Sequence, residues 1–221
     1  MSKILVVAPH PDDETLGCGG TLLRHRVEKD EIHWLVMTEM DVSQGYSSEA
    51  IAERTEEIAA VEKAYPFDSV FRIGFPTARL DDIPRAEHIE KIGEVFREIA
   101  PSHIYIPFPG DIHTDHRITY EASLACTKWF RYPSVRRVLA YETLSETDLA
   151  TAPHPPFQPN VFVDIGQYLE RKIEIMNIYS EEIGEFPFPR SDDAIRALAA
   201  VRGTSCGVKA AEAFLLLKEV L

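Results

Sequence analysis

The chain has 221 residues, with 23 Lys and Arg against 36 Asp and Glu, which gives a formal net charge of −13 at pH 7. Its 45% hydrophobic and 27% charged residues are typical of a globular protein and exclude a disordered one. The acidic balance disfavours nucleic acid and anionic membrane surfaces as partners. No apolar run approaches the about 18 residues of a membrane span.

The beginning of the chain and its cysteines predict a cytoplasmic protein. Residues 1–8 carry one basic side chain and a short apolar run, and His10 follows where a signal peptide would have its cleavage site. Cys18, Cys126 and Cys206 are odd in number and far apart, which predicts free thiols in a reducing compartment. We expect a small-molecule partner, no nucleic acid and no membrane span, and a homo-oligomer stays open.

The hydrophobic pattern predicts strands that alternate with helices. Residues 3–8 form a continuous apolar run, which is typical of a strand buried on both faces of a parallel sheet. Further strands are predicted at 32–38, 69–73, 103–106, 137–141 and 161–164. Helical segments are predicted at 21–29, 49–65, 86–100, 116–130, 167–179 and 210–220.

This alternation predicts a Rossmann-like α/β fold with a mostly parallel central sheet flanked by helices. A Pro-rich loop at about 153–159 interrupts the pattern, but the part that follows it is short. We therefore expect a single domain over residues 1–221, with this loop inside it. The glycines of residues 17–20 lack the spacing of a phosphate-binding loop, and we interpret them as small residues for close packing of a helix on the sheet.

Two polar clusters follow predicted strands. Residues 10–14 (HPDDE) come directly after the first strand, and residues 111–117 (DIHTDHR) come shortly after the fourth. Ligands of a parallel α/β sheet collect at the carboxyl ends of its strands. Each cluster has two suitable side chains three positions apart, so both members of a pair can face one ion. These pairs are His10 with Asp13 and His113 with His116.

The donor types of these clusters predict a divalent cation. A catalytic zinc takes three nitrogen or oxygen ligands and keeps one position open, and iron, manganese or cobalt accept the same donors. Spacing alone allows either His113 or His116 to be a ligand. The alternative is that residues 10–14 form a solvated turn, in which Asp12 or Asp13 caps the following helix.

Residues 8–14 (APHPDDE) together with residues 113–116 (HTDH) resemble the paired motifs of the PIG-L/LmbE-type zinc-dependent N-acetylglucosaminyl deacetylases. Residues 54–60 are similar to an Arg-containing helix of that family, and residues 80–82 are similar to its substrate-loop acid. The resemblance covers most of the first 145 residues and is much weaker in the C-terminal third.

The resemblance implies a role for each motif residue. Asp12 is the general base that takes a proton from the attacking water. His113, oriented by Asp115, stabilises the oxyanion and protonates the leaving amine. Asp111 is the alternative for this orienting role. The implied zinc ligands are His10, Asp13 and His116.

Substrate contacts are predicted from the resemblance and from position at strand ends. For Arg54 a surface salt bridge is nearly as good an interpretation, and for Tyr141 a half-buried core position is the alternative. Residues 202–207 are interpreted as a flexible polar loop, and closure of this loop over a sugar or phosphate is the less favoured alternative. The predicted substrate-binding residues are Arg54, Asp81, Asp82, Tyr141 and Arg202.

The predicted activity is therefore hydrolysis of the N-acetyl group of an N-acetylglucosamine-type amino-sugar conjugate, with zinc, or iron or another divalent metal, as cofactor. One alternative keeps the metal and releases a larger acyl group from a sugar or thiol conjugate. A second is a nucleotide-binding Rossmann module without hydrolase activity, although its glycine fingerprint is missing. A third is a metal-stabilised interaction domain, in which loss of the Asp12 carboxylate would change nothing.

Overall fold

A computed structural model describes residues 1–151 and 153–221. Seven strands form one sheet in the order β3-β2-β1-β4-β5-β7-β6, and all pairs from β3 to β5 are parallel. The strand β7 is antiparallel to both of its neighbours. The strands are β1 (Lys3–Ala8), β2 (Glu31–Glu39), β3 (Ser69–Pro76), β4 (His103–Pro107), β5 (Arg137–Tyr141), β6 (Val161–Asp164) and β7 (Ala211–Glu219). This is the predicted single-domain α/β fold with a mostly parallel sheet.

Helices cover both faces of the sheet. The residues of α1, α2, α5 and α6 pack in one hydrophobic core, and those of α3 and α4 pack in the other. Among the helices of the described residues, none is long and apolar enough to cross a membrane. The helices are α1 (Asp13–Val27), α2 (Ser48–Ala64), α3 (Arg85–Ile99), α4 (Thr114–Ala125), α5 (Leu169–Met176) and α6 (Asp192–Cys206).

The strand β1 lies in the middle of the sheet, as its continuous apolar run predicts. Ile4 and Val6 point into the core beneath α1, while Leu5 and Val7 point into the core beneath α3 and α4. All four side chains are fully buried. Because both faces of β1 are covered, every side chain of the strand contributes hydrophobic stabilisation, and the polar turn that follows is fixed at the edge of a rigid element.

The prediction of a helix at residues 210–220 was wrong, because these residues form β7. Ala, Leu, Glu and Lys favour helix, yet successive side chains of this segment enter opposite cores. Phe214 packs with the core beneath α1, and Leu215 packs with the core beneath α3 and α4. Burial on both faces of the sheet therefore overrides the local helix propensity.

The last helix of the chain is α6, which lies before β7. For this region the sequence predicted only a flexible polar loop at 202–207. In the structure these residues are mostly the end of α6, so the loop was a wrong prediction. The signals of this helix were present in the sequence. The Ser191 hydroxyl accepts a hydrogen bond from the backbone N–H of Ala194 at 3.2 Å, and Gly207 follows in the left-handed conformation at φ 80°.

Helix α1 starts at Asp13, eight residues earlier than the predicted amphipathic segment, and it is kinked at Cys18. The backbone N–H groups of Gly20 and Thr21 donate to the Glu212 carboxylate at 2.8 and 2.7 Å. Lys172 donates to the same carboxylate at 2.7 Å, and both charged side chains are buried. The Glu212 carboxylate thus satisfies the amides that the kink releases, and Lys172 compensates its charge and donates to the released backbone oxygen of Leu16. Cys18 itself is a buried free thiol whose pKa is raised by burial.

The glycines of α1 allow close packing, as predicted. A Cβ atom on Gly17 would lie 2.2 Å from Cδ2 of the buried Tyr141 ring, and one on Gly20 would lie 2.6 Å from Cγ2 of Ile165. Both distances are far shorter than van der Waals contact. The first turns of α1 therefore fit against β5 and the residues after β6 only because these positions carry no side chain.

We predict that Gly17→Ala lowers the free energy of unfolding by about 3 kcal/mol, the upper part of the range for overpacked cores. The methyl group displaces the Tyr141 ring, which has no free space to enter because it is fully buried. Urea denaturation measures the change. The control is Gly166→Ala, whose Cβ meets only the flexible Asp164 carboxylate at 3.2 Å. Equal stability of both variants would contradict the packing argument.

Candidate metal centre and active-site cavity

The two polar clusters meet because β1 and β4 are parallel neighbours in the sheet. The turn after β1 contains His10, Asp12 and Asp13. The segment after β4 leads into α4 and contains His113 and His116. Both segments leave the same edge of the sheet, at the carboxyl ends of the strands.

Three side chains of these clusters are arranged as ligands of one ion. The Nδ1 atom of His10 lies 3.3 Å from one carboxylate oxygen of Asp13, and Nε2 of His116 lies 3.3 Å from the other. One ligand atom from each residue lies within 4.8 Å of the other two. Tetrahedral bonds of about 2.1 Å place neighbouring donor atoms about 3.4 Å apart, so these spacings fit a divalent cation.

Buried carboxylates orient both histidines. His116 donates from Nδ1 to Asp111 at 2.8 Å, and His10 donates from Nε2 to Asp115 at 3.0 Å. Each ring thereby keeps its other nitrogen free for the common centre with Asp13. Such carboxylate–histidine pairs fix the tautomer and direction of metal-binding imidazoles.

The electrostatics of the centre also suit a cation. Although burial opposes protonation, the carboxylates of Asp115 and Asp13 raise the pKa of His10 to about 9. Burial likewise opposes protonation of His116, and Asp13 and Asp111 raise its pKa well above the usual range. The negative charge of the site therefore favours positive charge at both buried imidazoles. A divalent cation would supply this compensating charge in place of protons.

A second group, His10 with His113 and Asp115, is also compact enough to hold an ion. The contacts of Asp115 argue against it. Its fully buried carboxylate accepts backbone hydrogen bonds from Ala78 at 2.8 Å and from Leu80 at 3.1 Å. These bonds together with that from His10 occupy the carboxylate, so the geometry favours the group that contains His116.

His113 is not oriented by the Asp115 carboxylate, contrary to what the resemblance had implied. Its ring nitrogen Nδ1 accepts a hydrogen bond from the backbone N–H of Asp115 at 3.1 Å, so the residue caps α4. The Asp115 carboxylate points instead to His10. Burial, together with the charges of His10 and His116, lowers the pKa of His113 to about 4. The ring is therefore neutral near pH 7, with its proton on Nε2.

Asp12 is strained and buried. It has φ 134°, a conformation that side-chain-bearing residues rarely adopt, and only 4% of its surface is exposed. Its backbone carbonyl accepts from the N–H groups of Thr15 and Leu16, and its side chain forms no capping bond within the described residues. Simple helix capping therefore does not explain this aspartate.

Glu14 supports that strained turn. Its fully buried carboxylate accepts hydrogen bonds from the Asp12 backbone N–H at 3.0 Å and from the Tyr179 hydroxyl at 3.0 Å. Burial raises the pKa of Glu14 to about 7. Glu14 therefore directly supports the backbone of Asp12.

A cavity of about 780 Å³ opens in front of the centre. One wall is formed by the turn after β1 and by His113 and His116. The opposite wall is formed by the first half of α2 together with Glu182 and Arg190 from the C-terminal part of the chain. The lining includes nine carboxylates and three arginines, namely Asp12, Asp13, Glu39, Glu49, Glu53, Glu57, Glu146, Glu181, Glu182, Arg54, Arg72 and Arg190.

The predicted substrate residues are not all brought to this cavity. Arg54 lines it. Asp81 and Asp82 lie in a short 3₁₀ turn and are exposed to solvent. Tyr141 is fully buried and donates from its hydroxyl to the backbone oxygen of Val7 at 2.9 Å, so the structure places it in the core.

Arg202 was predicted to lie in a flexible loop over the substrate, but it lies in a helix. It belongs to α6, and its guanidinium donates from Nε to Glu142 at 2.7 Å. It lines a separate small cavity between α6, α5 and β7. Its ion pair with Glu142 explains this position without a substrate.

The chain also matches known proteins. A family model named PIG-L and described as GlcNAc-PI de-N-acetylase matches residues 5–127, which is more than half of the chain. The chain belongs to the PIG-L family. A diacetylchitobiose deacetylase from Thermococcus kodakarensis is 24% identical over 221 residues, covering 96% of this chain and 82% of that protein.

Two solved structures share the fold of this PIG-L protein. The conserved protein TT1542 from Thermus thermophilus is 27% identical, has a TM-score of 0.79, and the match covers 100% of this chain and 97% of the other. GalB from Pseudomonas putida, a 4-carboxy-2-hydroxymuconate hydratase, is 17% identical with a TM-score of 0.73 and coverage of 100% and 98%. The PIG-L fold therefore also occurs in a hydratase, and the reaction must be argued from the site.

Reasoning from the sequence of this PIG-L protein missed several residues of the site. Asp111 was considered only as an alternative partner for His113, yet it orients His116. Glu182 and Arg190 come from a region with weak resemblance to the family, and no local motif marks them. A charge pattern alone does not show that two side chains so distant in sequence from Asp12 meet it in the fold.

Proposed function

We propose that this PIG-L protein is a metal-dependent N-deacetylase that hydrolyses the N-acetyl group of an N-acetylglucosamine-type amino-sugar conjugate. The observation that carries the proposal is the ligand group of His10, Asp13 and His116 at the base of the cavity, with Asp12 and His113 beside it. Zinc suits these donors, and iron or another divalent metal is compatible with them. When bound, the cation supplies a Lewis acid that polarises the acyl oxygen and acidifies water.

The protein side chains divide the proton transfers. Asp12 accepts a proton from the attacking water as the water oxygen bonds to the acyl carbon. His113 is neutral, and its Nε2–H donates a hydrogen bond to the acyl oxygen as negative charge develops there. When the C–N bond breaks, the proton held by Asp12 passes to the amine nitrogen. The second proton of the water leaves the carboxyl group of the product and passes to the released amine, so acetate and an ammonium ion form and atoms and charges balance.

Acetate release from N-acetylglucosamine and from its glycosides, before and after chelation, tests this function. Chelator-sensitive release of one acetate per amine formed is the expected result. Competing substrates with acetyl and with bulkier acyl groups separate the deacetylase from the larger-acyl amidase. Turnover of only the bulkier amides, or hydration of a double bond without amide cleavage, would overturn the proposal.

The charges of the cavity predict which conjugates are hydrolysed fastest. Nine carboxylates but only three arginines are among the residues that line the cavity, and two of these arginines, Arg54 and Arg190, are paired with Glu182. We expect kcat/KM for an uncharged glycoside of N-acetylglucosamine to exceed that for the matching phosphate conjugate by about 10-fold at low salt. The difference should shrink as ionic strength rises, because surface charges are screened. A preference for the phosphate conjugate would contradict this charge argument.

We also place the protein in the cytoplasm, with a small sugar conjugate as its substrate. Cys18, Cys126 and Cys206 are free thiols, two of them buried, which agrees with a reducing compartment. Assembly into a homo-oligomer stays a prediction that sedimentation of the purified protein tests.

A further inference from the structure

Arg190 reaches the cavity from the segment that precedes α6. Its Nη1 atom lies 3.4 Å from a carboxylate oxygen of Asp12, and its Nη2 atom lies 3.0 Å from Glu182. Its guanidinium also lies over the Phe188 ring, 5.7 Å from the centroid. The hydrogen bond to Asp12, the ion pair with Glu182 and the ring restrict the orientation of the guanidinium, whose donors are fixed in one plane.

The Asp12 carboxylate needs such a partner. With its backbone at φ 134°, Asp12 forms no side-chain hydrogen bond to the first amides of α1 among the described residues. Among the described residues, Arg190 donates a hydrogen bond to this buried carboxylate. A buried carboxylate is stabilised by a donor that fixes one of its oxygens and leaves the other facing the cavity.

Glu182 joins this contact to a second arginine. Its other carboxylate oxygen accepts a hydrogen bond from Arg54, whose Nη1 donates to the backbone oxygen of Pro11 at 3.4 Å. Arg54 and Arg190 therefore contact adjacent residues of the same turn, one at a backbone oxygen and one at a side chain. Glu182 connects α2 and the C-terminal segment to the turn that contains Asp12.

We propose that Arg190 is a positioning residue, which holds the Asp12 carboxylate in the orientation that accepts a proton from water, with Glu182 fixing the direction of Arg190. This inference rests on the proposed function of Asp12 as general base. It also gives the C-terminal third of the chain a role in the site. A misplacement of reacting groups by about 1 Å costs on the order of 100-fold in rate.

The test compares Arg190→Gln, Asp12→Asn and the double variant. We expect Arg190→Gln to lower kcat by about 30- to 100-fold with KM and metal content unchanged, because the substrate and the ion do not bind through Arg190. In the Asp12→Asn background the same change should cost less than about 3-fold, since Arg190 acts through Asp12. Methylguanidinium should partly restore kcat of Arg190→Ala. Arg196→Gln, an exposed arginine of α6 paired with Glu170, is the matched control.

Three kinetic results would overturn the inference. They are an unchanged kcat in Arg190→Gln, a rise in KM alone, and an undiminished loss in the double variant. Thermal unfolding identifies variants that fail to fold, and Arg190→Lys, which keeps the charge without the fork, replaces Arg190→Gln in that case. A crystal structure of the variant is independent of substrate, and an Asp12 side chain in its original rotamer would refute the positioning role. Absence of acetate release by the unaltered protein would instead refute the proposed function.

Discussion

Replacing Asp12 by Asn is expected to lower kcat for acetate release by about 10³-fold while the bound metal is retained. Asn has the same shape but accepts no proton, and Asn tolerates positive φ, so the turn at φ 134° is preserved. KM should change little, because Asp12 acts on the water rather than on the sugar. Initial rates of acetate release and elemental analysis of the same preparation measure both quantities.

The control for this change is Asp193→Asn, which removes an exposed acid from the first turn of α6. It should leave kcat unchanged. A non-catalytic interaction domain predicts no effect of Asp12→Asn, so full activity in that variant would contradict the general-base role. Loss of the metal together with the activity would indicate that Asp12 is a ligand, which would require a different assignment of the centre.

The parallel half of the fold was predictable because its signals are local. The apolar run of β1 needs burial on both faces, and the structure covers it on both faces. The strand β7 was not predictable in this way. Its Ala, Leu and Lys residues favour helix when isolated, and its strand conformation depends on pairing with β5 and β6, which are distant in sequence.

The same division applies to the candidate site. His10 and Asp13 are three residues apart, so their convergence follows from a tight turn. That His116 rather than His113 faces them depends on Asp111, whose carboxylate directs His116, and no spacing rule states this preference. Arg190 meets Asp12 only because α5 and α6 pack on α1 and α2, so its place in the site is a property of the tertiary structure.

The structure also changes the interpretation of Arg54. From the sequence, a surface salt bridge and a substrate contact were almost equally good interpretations of this residue. In the structure Arg54 lines the cavity, but its guanidinium is engaged by Glu57, Glu182 and the Pro11 carbonyl. An arginine with these partners is better suited to fix the Pro11–Asp12 turn than to bind a sugar hydroxyl by itself, although its cavity-facing edge stays within reach of a substrate.

Replacing His116 by Ala is expected to abolish metal binding and to lower kcat by more than about 10³-fold. Asp12→Asn, by contrast, should lose activity but keep the metal. The imidazole is 1% exposed, and its loss removes one of the three proposed ligands and takes one partner from each of the carboxylates of Asp13 and Asp111. Chelation of the unaltered protein should give the same loss, reversible on addition of zinc. Metal content per chain, measured together with acetate release, tests the prediction.

His113→Ala distinguishes the two possible ligand groups. If His10, Asp13 and His116 hold the ion, His113→Ala should retain about one metal per chain and lose activity only through the missing hydrogen bond, by about 10²- to 10³-fold. If the group of His10, His113 and Asp115 holds the ion, His113→Ala should lose the metal and His116→Ala should retain it. Thermal unfolding separates loss of a ligand from loss of the fold, because His116→Ala also destabilises the protein by taking a hydrogen-bond partner from two buried carboxylates. His116→Gln retains a polar side chain between these carboxylates, so a metal-free but folded His116→Gln variant would establish that this imidazole is needed as a ligand.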